Sequence, residues 1–197
     1  MIKLISQSIR QTLVWTLVTG VLYPLAITVI AQLAFPDKAN GSLVERDGKL
    51  VGSALMAQQF TGAKYFWPRP SAATYGTGTS GLNAGSGSNL GPTSSQLQTN
   101  VRANAKALRE AHKLPADAPV PADLVFASAS GVDPHISPAA ARFQVARVAA
   151  ARGMPEDKVG ALVEQYVESP QWGFLGEARV NVLLLNLALD AADAKKS

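Results

Sequence analysis

Residues Gln11 to Pro36 form a run of 26 with no charged side chain, and no other uncharged run in the sequence is as apolar. As a helix rising 1.5 Å per residue, its apolar centre, Thr12 to Phe35, would measure roughly 36 Å, enough to cross a ~30 Å hydrocarbon core. Lys3 and Arg10 are the only charged side chains ahead of it, and Asp37 and Lys38 follow it. A cleaved signal peptide competes for this pattern, but its apolar core is usually shorter and an A-x-A-like site should follow. Ala31-Gln32-Leu33-Ala34 matches that site poorly. The sequence therefore predicts residues 1–11 as a cytoplasmic N-terminus, 12–36 as a transmembrane helix and 37–197 as one external domain. The two early positive charges set that orientation under the positive-inside rule, giving a single-pass membrane protein with its large domain outside.

Within the span, Thr16, Thr19 and Gly20 are small or hydroxylated, and Pro24 breaks the backbone ladder near the middle. Small residues let membrane helices approach closely, and the groups freed at a proline need neighbours or local adjustment. These four positions are candidates for subunit contact. A lone lipid anchor is the simpler alternative.

The chain has 18 basic and 14 acidic residues. Such a balance is not a nucleic-acid footprint, which needs a basic stripe or patch. With no cysteine in the sequence, disulfides and thiolate metal sites are excluded, so the domain relies on a packed core.

Beyond the span, residues 42–46 and 49–55 flank Asp47-Gly48, a dipeptide that tolerates the positive φ of a tight hairpin. Phe60, Tyr65, Phe66 and Trp67 then gather ahead of Pro68-Arg69-Pro70. The prolines argue against a central strand, so this segment is either core or a contact surface. Tyr65, Phe66, Trp67 and Arg69 are its contact candidates. Residues 76–92, rich in Gly, Ser, Thr and Asn, read as a long loop.

Four helices are expected after the loop. Thr93-Ser94-Ser95 caps the first, and Ser137-Pro138 opens the second, which stops at Gly153. Pro155 opens a third, with Val159, Leu162, Val163 and Tyr166 on one face. The fourth lies around residues 181–192. A hairpin followed by helices predicts an α+β fold.

Candidate chemistry is sparse. Gly76 to Gly81 spells GxGxxG, but without a preceding apolar strand, a following helix or a suitably spaced acid it lacks the dinucleotide context. Asp133 and His135 with Ser128, Ser130 or Ser137 could form a hydrolase constellation, yet there is no GxSxG elbow and Ser137 suits a helix cap. His112 and His135 are the only histidines and lack metal-ligand spacing. Arg142, Arg147 and Arg152 recur at five-residue steps, which spreads them around a helix as a solvated surface.

Longer strings are more specific. ASASGVDPHISPAAARFQVARVAAARG at 127–153 resembles the C subunit of the bacterial Kdp potassium-transporting ATPase. AQQFTG at 57–62, YFWPRPSAA at 65–73, GSGSNLGPTSSQL at 85–97 and VNVLLLNLALD at 180–190 fit the same family in order. Ser86 stands where a second consecutive glycine is expected, and Ala178 where proline is usual. The family-motif positions are Ser88, Asn89, Leu90, Gly131, Asp133, His135, Ser137, Arg147, Asn181 and Asn186.

The resemblance implies a non-catalytic accessory subunit of an ATP-driven potassium importer. Its partners would be a channel-like subunit, a P-type ATPase subunit that carries out hydrolysis, and a small fourth subunit. It further implies a catalytic chaperone that raises the pump's affinity for ATP. ATP and potassium would act at the level of the complex, with no cofactor held by this chain. The alternative from residues alone is a stand-alone, membrane-anchored envelope hydrolase or binding protein.

Overall fold

The computed structural model describes residues 1–72 and 86–194. It divides into two compact units, Met1–Val51 and Gly52–Ser197. The GxGxxG string and most of the 76–92 loop lie outside the described residues.

The first unit is dominated by one apolar helix. α1 (Ile2–Leu17) and α2 (Tyr23–Ala34) are joined without a break by a π-helical turn, Val18–Leu22. Together they make 33 residues, Ile2–Ala34, long and apolar enough to cross a membrane. The helix begins at Ile2 rather than near Thr12, because Lys3 and Arg10 are no obstacle to helix formation. At 1.5 Å per residue it is about 50 Å long, exceeding a hydrocarbon core.

The π turn is the local adjustment that Pro24 requires. Proline has no N–H to donate to the carbonyl four residues back, and its ring crowds that carbonyl. Widening the preceding turn sends the Tyr23 amide to the Val18 carbonyl and makes room. Thr19 and Thr28 fold their hydroxyls onto the carbonyls of Trp15 and Pro24, at 2.7 and 2.8 Å.

Phe35 leaves helical geometry, and a short helix α3 (Pro36–Ala39) leads to the hairpin of β1 (Leu43–Arg46) and β2 (Lys49–Ser53). Asp47 and Gly48 at its tip have φ of 53° and 71°. These are the positive values of a primed hairpin turn.

In the second unit the expected helices form with the expected caps. α4 (Ser95–Ala111) starts where the Ser94 hydroxyl accepts from the Leu97 amide. α5 (Pro138–Arg152) starts where the Ser137 hydroxyl accepts from Ala140, and ends at left-handed Gly153. α6 (Glu156–Gln165) follows Pro155, and α7 (Val182–Ala194) begins beside Asn181, whose side-chain oxygen accepts from Leu184. This supports an α+β fold.

The second unit also holds a small sheet that leaves no pattern in the sequence. β3 (His135–Ile136), β4 (Val167–Glu168) and β5 (Arg179–Asn181) pair antiparallel in the order β3-β5-β4. Ile136 and Val167 both face Val180 in register. Strands of two or three residues are too short to show a period of two.

α5 packs on α6, α6 on α7, and both α5 and α7 on β5. Val148, Val159, Val163, Val180, Leu185 and Leu189 are fully buried between them, each worth about 1.5–3 kcal/mol of apolar transfer.

Candidate functional site

Phe66 and Trp67 lie in an extended segment without a strand partner, so their peptide groups need other bonds. Two side-chain amides supply them. Asn186, on α7, accepts from the Phe66 amide at 2.8 Å and donates to its carbonyl at 3.0 Å. Gln144, on α5, does the same for Trp67, at 2.8 and 3.1 Å. Asn186 and Gln144 are both buried. Each amide takes the place of a neighbouring strand.

Arg147, one turn beyond Gln144, completes this clasp. Its guanidinium donates to the carbonyls of Ala63 at 2.6 Å and Tyr65 at 3.0 Å, to Gln144 Oε1 at 2.7 Å, and to His112 Nε2 at 3.2 Å. His112 stacks on Phe143 at 4.5 Å between ring centres. Burial, with the neighbouring Arg147 charge, pushes the His112 pKa down to about 4, keeping the ring a neutral acceptor.

At the C-terminal end of α5, Arg152 donates to Asp190 and Asp193 on α7 and to the Lys64 carbonyl. Its side chain is almost wholly buried. The reading of Arg142, Arg147 and Arg152 as a solvated surface is therefore corrected. Arg142 alone is exposed, forked onto Glu164 of α6. Ala140, Ala141, Gln144, Arg147 and Val148 share one buried stripe, which directs Arg147 inward. That spacing was available in the sequence, and it would have found Gln144 too.

Among the segment's contact candidates, Phe66 lies in the core, the other of the two readings of this segment, with none of its surface exposed. Tyr65 lies over the Arg152 guanidinium at 5.0 Å and donates to Asp190. Trp67 donates its indole N–H to the Gly62 carbonyl. Thr16, Thr19, Gly20 and Pro24 all belong to the other unit and lie on the apolar helix.

A second polar knot holds the turn before β3. Asp133 accepts from the His135 amide at 3.0 Å and from Arg69 Nη1 at 2.9 Å, while His135 Nδ1 stands 3.6 Å from it. The His135 hydrogen bonds, then Arg69, hold the Asp133 carboxyl at about 2 against the opposing effect of burial. Gly131 makes the turn at φ 72°, and its carbonyl accepts from the Ser71 hydroxyl. The serines weighed for a hydrolase are placed differently. Ser137 and Ser130 accept from the amides of Ala140 and Val132, and the Ser128 hydroxyl is buried without a partner among the described residues.

Ser88 and Leu90 line a cleft of about 240 Å³ with Ser71, Leu97, Asn100 and Asn104. Asn89 beside them has φ 52°. Among the described residues that line this cleft none is charged. Among the described residues no three His, Asp or Glu side chains come close enough to hold a metal ion.

The family model described as "K+-transporting ATPase, c chain" matches residues 5–191. The chain belongs to the KdpC family. It is 54% identical over 194 residues to the potassium-transporting ATPase KdpC subunit of Methylococcus capsulatus, covering 97% of this chain and 99% of that protein. It is 58% identical over 180 residues to the subunit of the same name from Polaromonas naphthalenivorans, covering 90% and 89%. Within this KdpC chain, the 65–73, 127–153 and 180–190 blocks meet in the clasp. Asn186, Arg147, Asp133 and Asn181 are bound to backbone or to neighbouring side chains, so their sequence motifs are legible as fold-holding contacts.

Proposed function

We propose that the chain is a non-catalytic accessory subunit of an ATP-driven potassium importer, anchored by its N-terminal helix with residues 37–197 on the outer face. The observation that carries this reading is the family match across residues 5–191, which includes the apolar helix as well as the folded body. The helix then packs on a channel-like subunit through Thr16, Thr19, Gly20 and Pro24, and the body rests over the ion entrance. Hydrolysis belongs to a P-type ATPase subunit, and a small fourth subunit completes the assembly.

In this reading the chain raises the pump's ATP affinity by stabilising one conformation of the complex. An outer domain and an inner ATP site are separated by the bilayer, so direct contact with nucleotide is not the route. Coupling requires only that the subunit bind one pump state more tightly than the other. The clasp supports such a role, because a rigid body transmits a binding preference better than a loose one.

Co-purification in mild detergent tests the proposal. The chain should elute with the other subunits, and deleting it should abolish high-affinity potassium uptake. If the remaining subunits assemble and transport potassium normally while this chain runs alone, the proposal fails.

A further inference from the structure

The loop between β4 and β5 ends in an apolar point. Trp172, Phe174 and Leu175 are 77%, 74% and 45% exposed. The point is built rather than loose. Gln171 and Leu175 exchange both backbone hydrogen bonds at 2.9 Å, and the Gly173 amide donates to the Pro170 carbonyl at 2.9 Å. Trp172 is held at φ 55°, a left-handed conformation that a bulky side chain rarely adopts, followed by Gly173 at 83°. The backbone thus takes up an unfavourable geometry that leaves an indole in solvent.

We propose that this tip inserts into the interface of the bilayer that the chain's own helix spans. This rests on the reading of residues 2–34 as a membrane span. From Pro170 to Gly176 there is no charged residue, so the whole point can enter an apolar boundary. Trp is suited to that depth, with an apolar body and a polar N–H. The chain enters the second unit close by, since Asn181 at the end of β5 donates to the Ala54 carbonyl at 2.8 Å. Gly176 is five residues of chain from Asn181, at most roughly 17 Å when extended. Leu55, next to that entry, is 58% exposed.

Three apolar side chains bind a free membrane weakly, but the tether makes the second contact intramolecular and raises its effective concentration. At the base, Glu168 pairs with Arg179 at 3.0 Å and Glu177 follows. The charges that flank the tip in sequence are two acids and one paired arginine, so insertion should occur in phosphatidylcholine and be insensitive to salt.

The cysteine-free sequence allows a direct test. Phe174→Cys, with Trp172→Cys as a second variant, is spin-labelled in the full chain and reconstituted in phosphatidylcholine nanodiscs. Val21→Cys reports the span, and Glu156→Cys, at the start of α6, reports water. The expected result is loss of accessibility to an aqueous nickel complex and gain of accessibility to oxygen at 174, as at 21 and unlike 156. A water-exposed 174 with a lipid-exposed 21 overturns the insertion alone. A water-exposed 21 overturns the span and the insertion together. A label at 174 that stays aqueous until the other subunits are added, and is then shielded from both reagents, overturns the lipid assignment in favour of a protein partner.

Discussion

The Arg147 guanidinium carbon lies 4.0 Å from the centre of the Trp67 ring, so the same cation that bonds the segment's carbonyls also covers its aromatic face. Planar stacking and a forked set of donors are properties that lysine lacks. Arg147→Ala should lower the unfolding free energy of the detergent-solubilised chain by about 3 kcal/mol, because several buried acceptors lose their donor at once. Arg147→Lys should recover less than half of that loss. A lysine variant as stable as the parent in chemical denaturation would show that the stack and fork contribute nothing.

Asn186 makes a sharper test of the clasp, because its two bonds to Phe66 need one acceptor and one donor. Asn186→Asp keeps the shape but places a carboxylate against the Phe66 carbonyl. The cost at pH 7 should be about 2–3 kcal/mol. Burial raises the pKa of the new carboxyl, so protonation restores a donor and the gap to the parent should narrow between pH 7 and 5. Thermal melts of both proteins at the two pH values check this. A gap that stays constant would mean that the donor bond is not what is lost.

Much of the backbone was legible because local chemistry is strong at its boundaries. Ser94 and Ser137 cap their helices, Gly153 ends α5, and Asp47-Gly48 turns the hairpin. The clasp was harder to see. Gln144, Arg147 and Arg152 occupy positions where side-chain polarity argues for solvent, and they are buried because the 63–67 segment presents carbonyls and amides that no strand satisfies. That need arises from tertiary structure, and periodicity alone does not express it. The resemblance marked the right blocks but did not say that they touch.

His112 sets the acid response above pH 4. Its folded pKa, about 4, lies below the ordinary 6.5, so the unfolded chain binds the proton more readily. This group's contribution is fully present above pH 6.5 and is lost as the pH falls towards 4. The slope is under about 1.4 kcal/mol per pH unit, reduced further by the ring's partial exposure. His112→Gln keeps an acceptor for Arg147 and cannot titrate, so its melting temperature should vary less over that window. Asp133 acts lower: depressed from 3.8 to about 2, its contribution is lost only as pH drops through that range. Parallel pH profiles for the parent and the glutamine variant would exclude His112 as the source.

Gly87 passes so close to the 127–131 strand of sequence that a Cβ there would sit 2.5 Å from the Ala129 carbonyl oxygen. Backbone cannot swing aside as a flexible side chain can. Gly87→Ala should therefore cost about 1–3 kcal/mol, the usual range for forced overpacking. Gly91, four residues on, has no described residue within 4 Å of its Cβ position, and Gly91→Ala should be near neutral. Equal effects in chemical denaturation would remove the close approach as the reason for glycine at 87.

The π turn affects which residues of the apolar helix share a face. In a regular helix eight residues advance by 800°, so Pro24 would point about 80° away from Thr16. A π turn holds more residues per turn and reduces that drift, which brings Thr16, Gly20 and Pro24 closer to one line. Thr16 already stands over the notch at Gly20, with its methyl 4.0 Å from where a Cβ would be. Pro24→Ala restores the missing N–H and removes the reason for the wide turn. If this line is the contact with a partner helix, the variant should insert in the membrane at parental levels but recover less of the other subunits on co-purification. Gly20→Leu, which fills the notch without touching the turn, should do the same. Full recovery of the subunits with both variants would move the contact to another face of the helix.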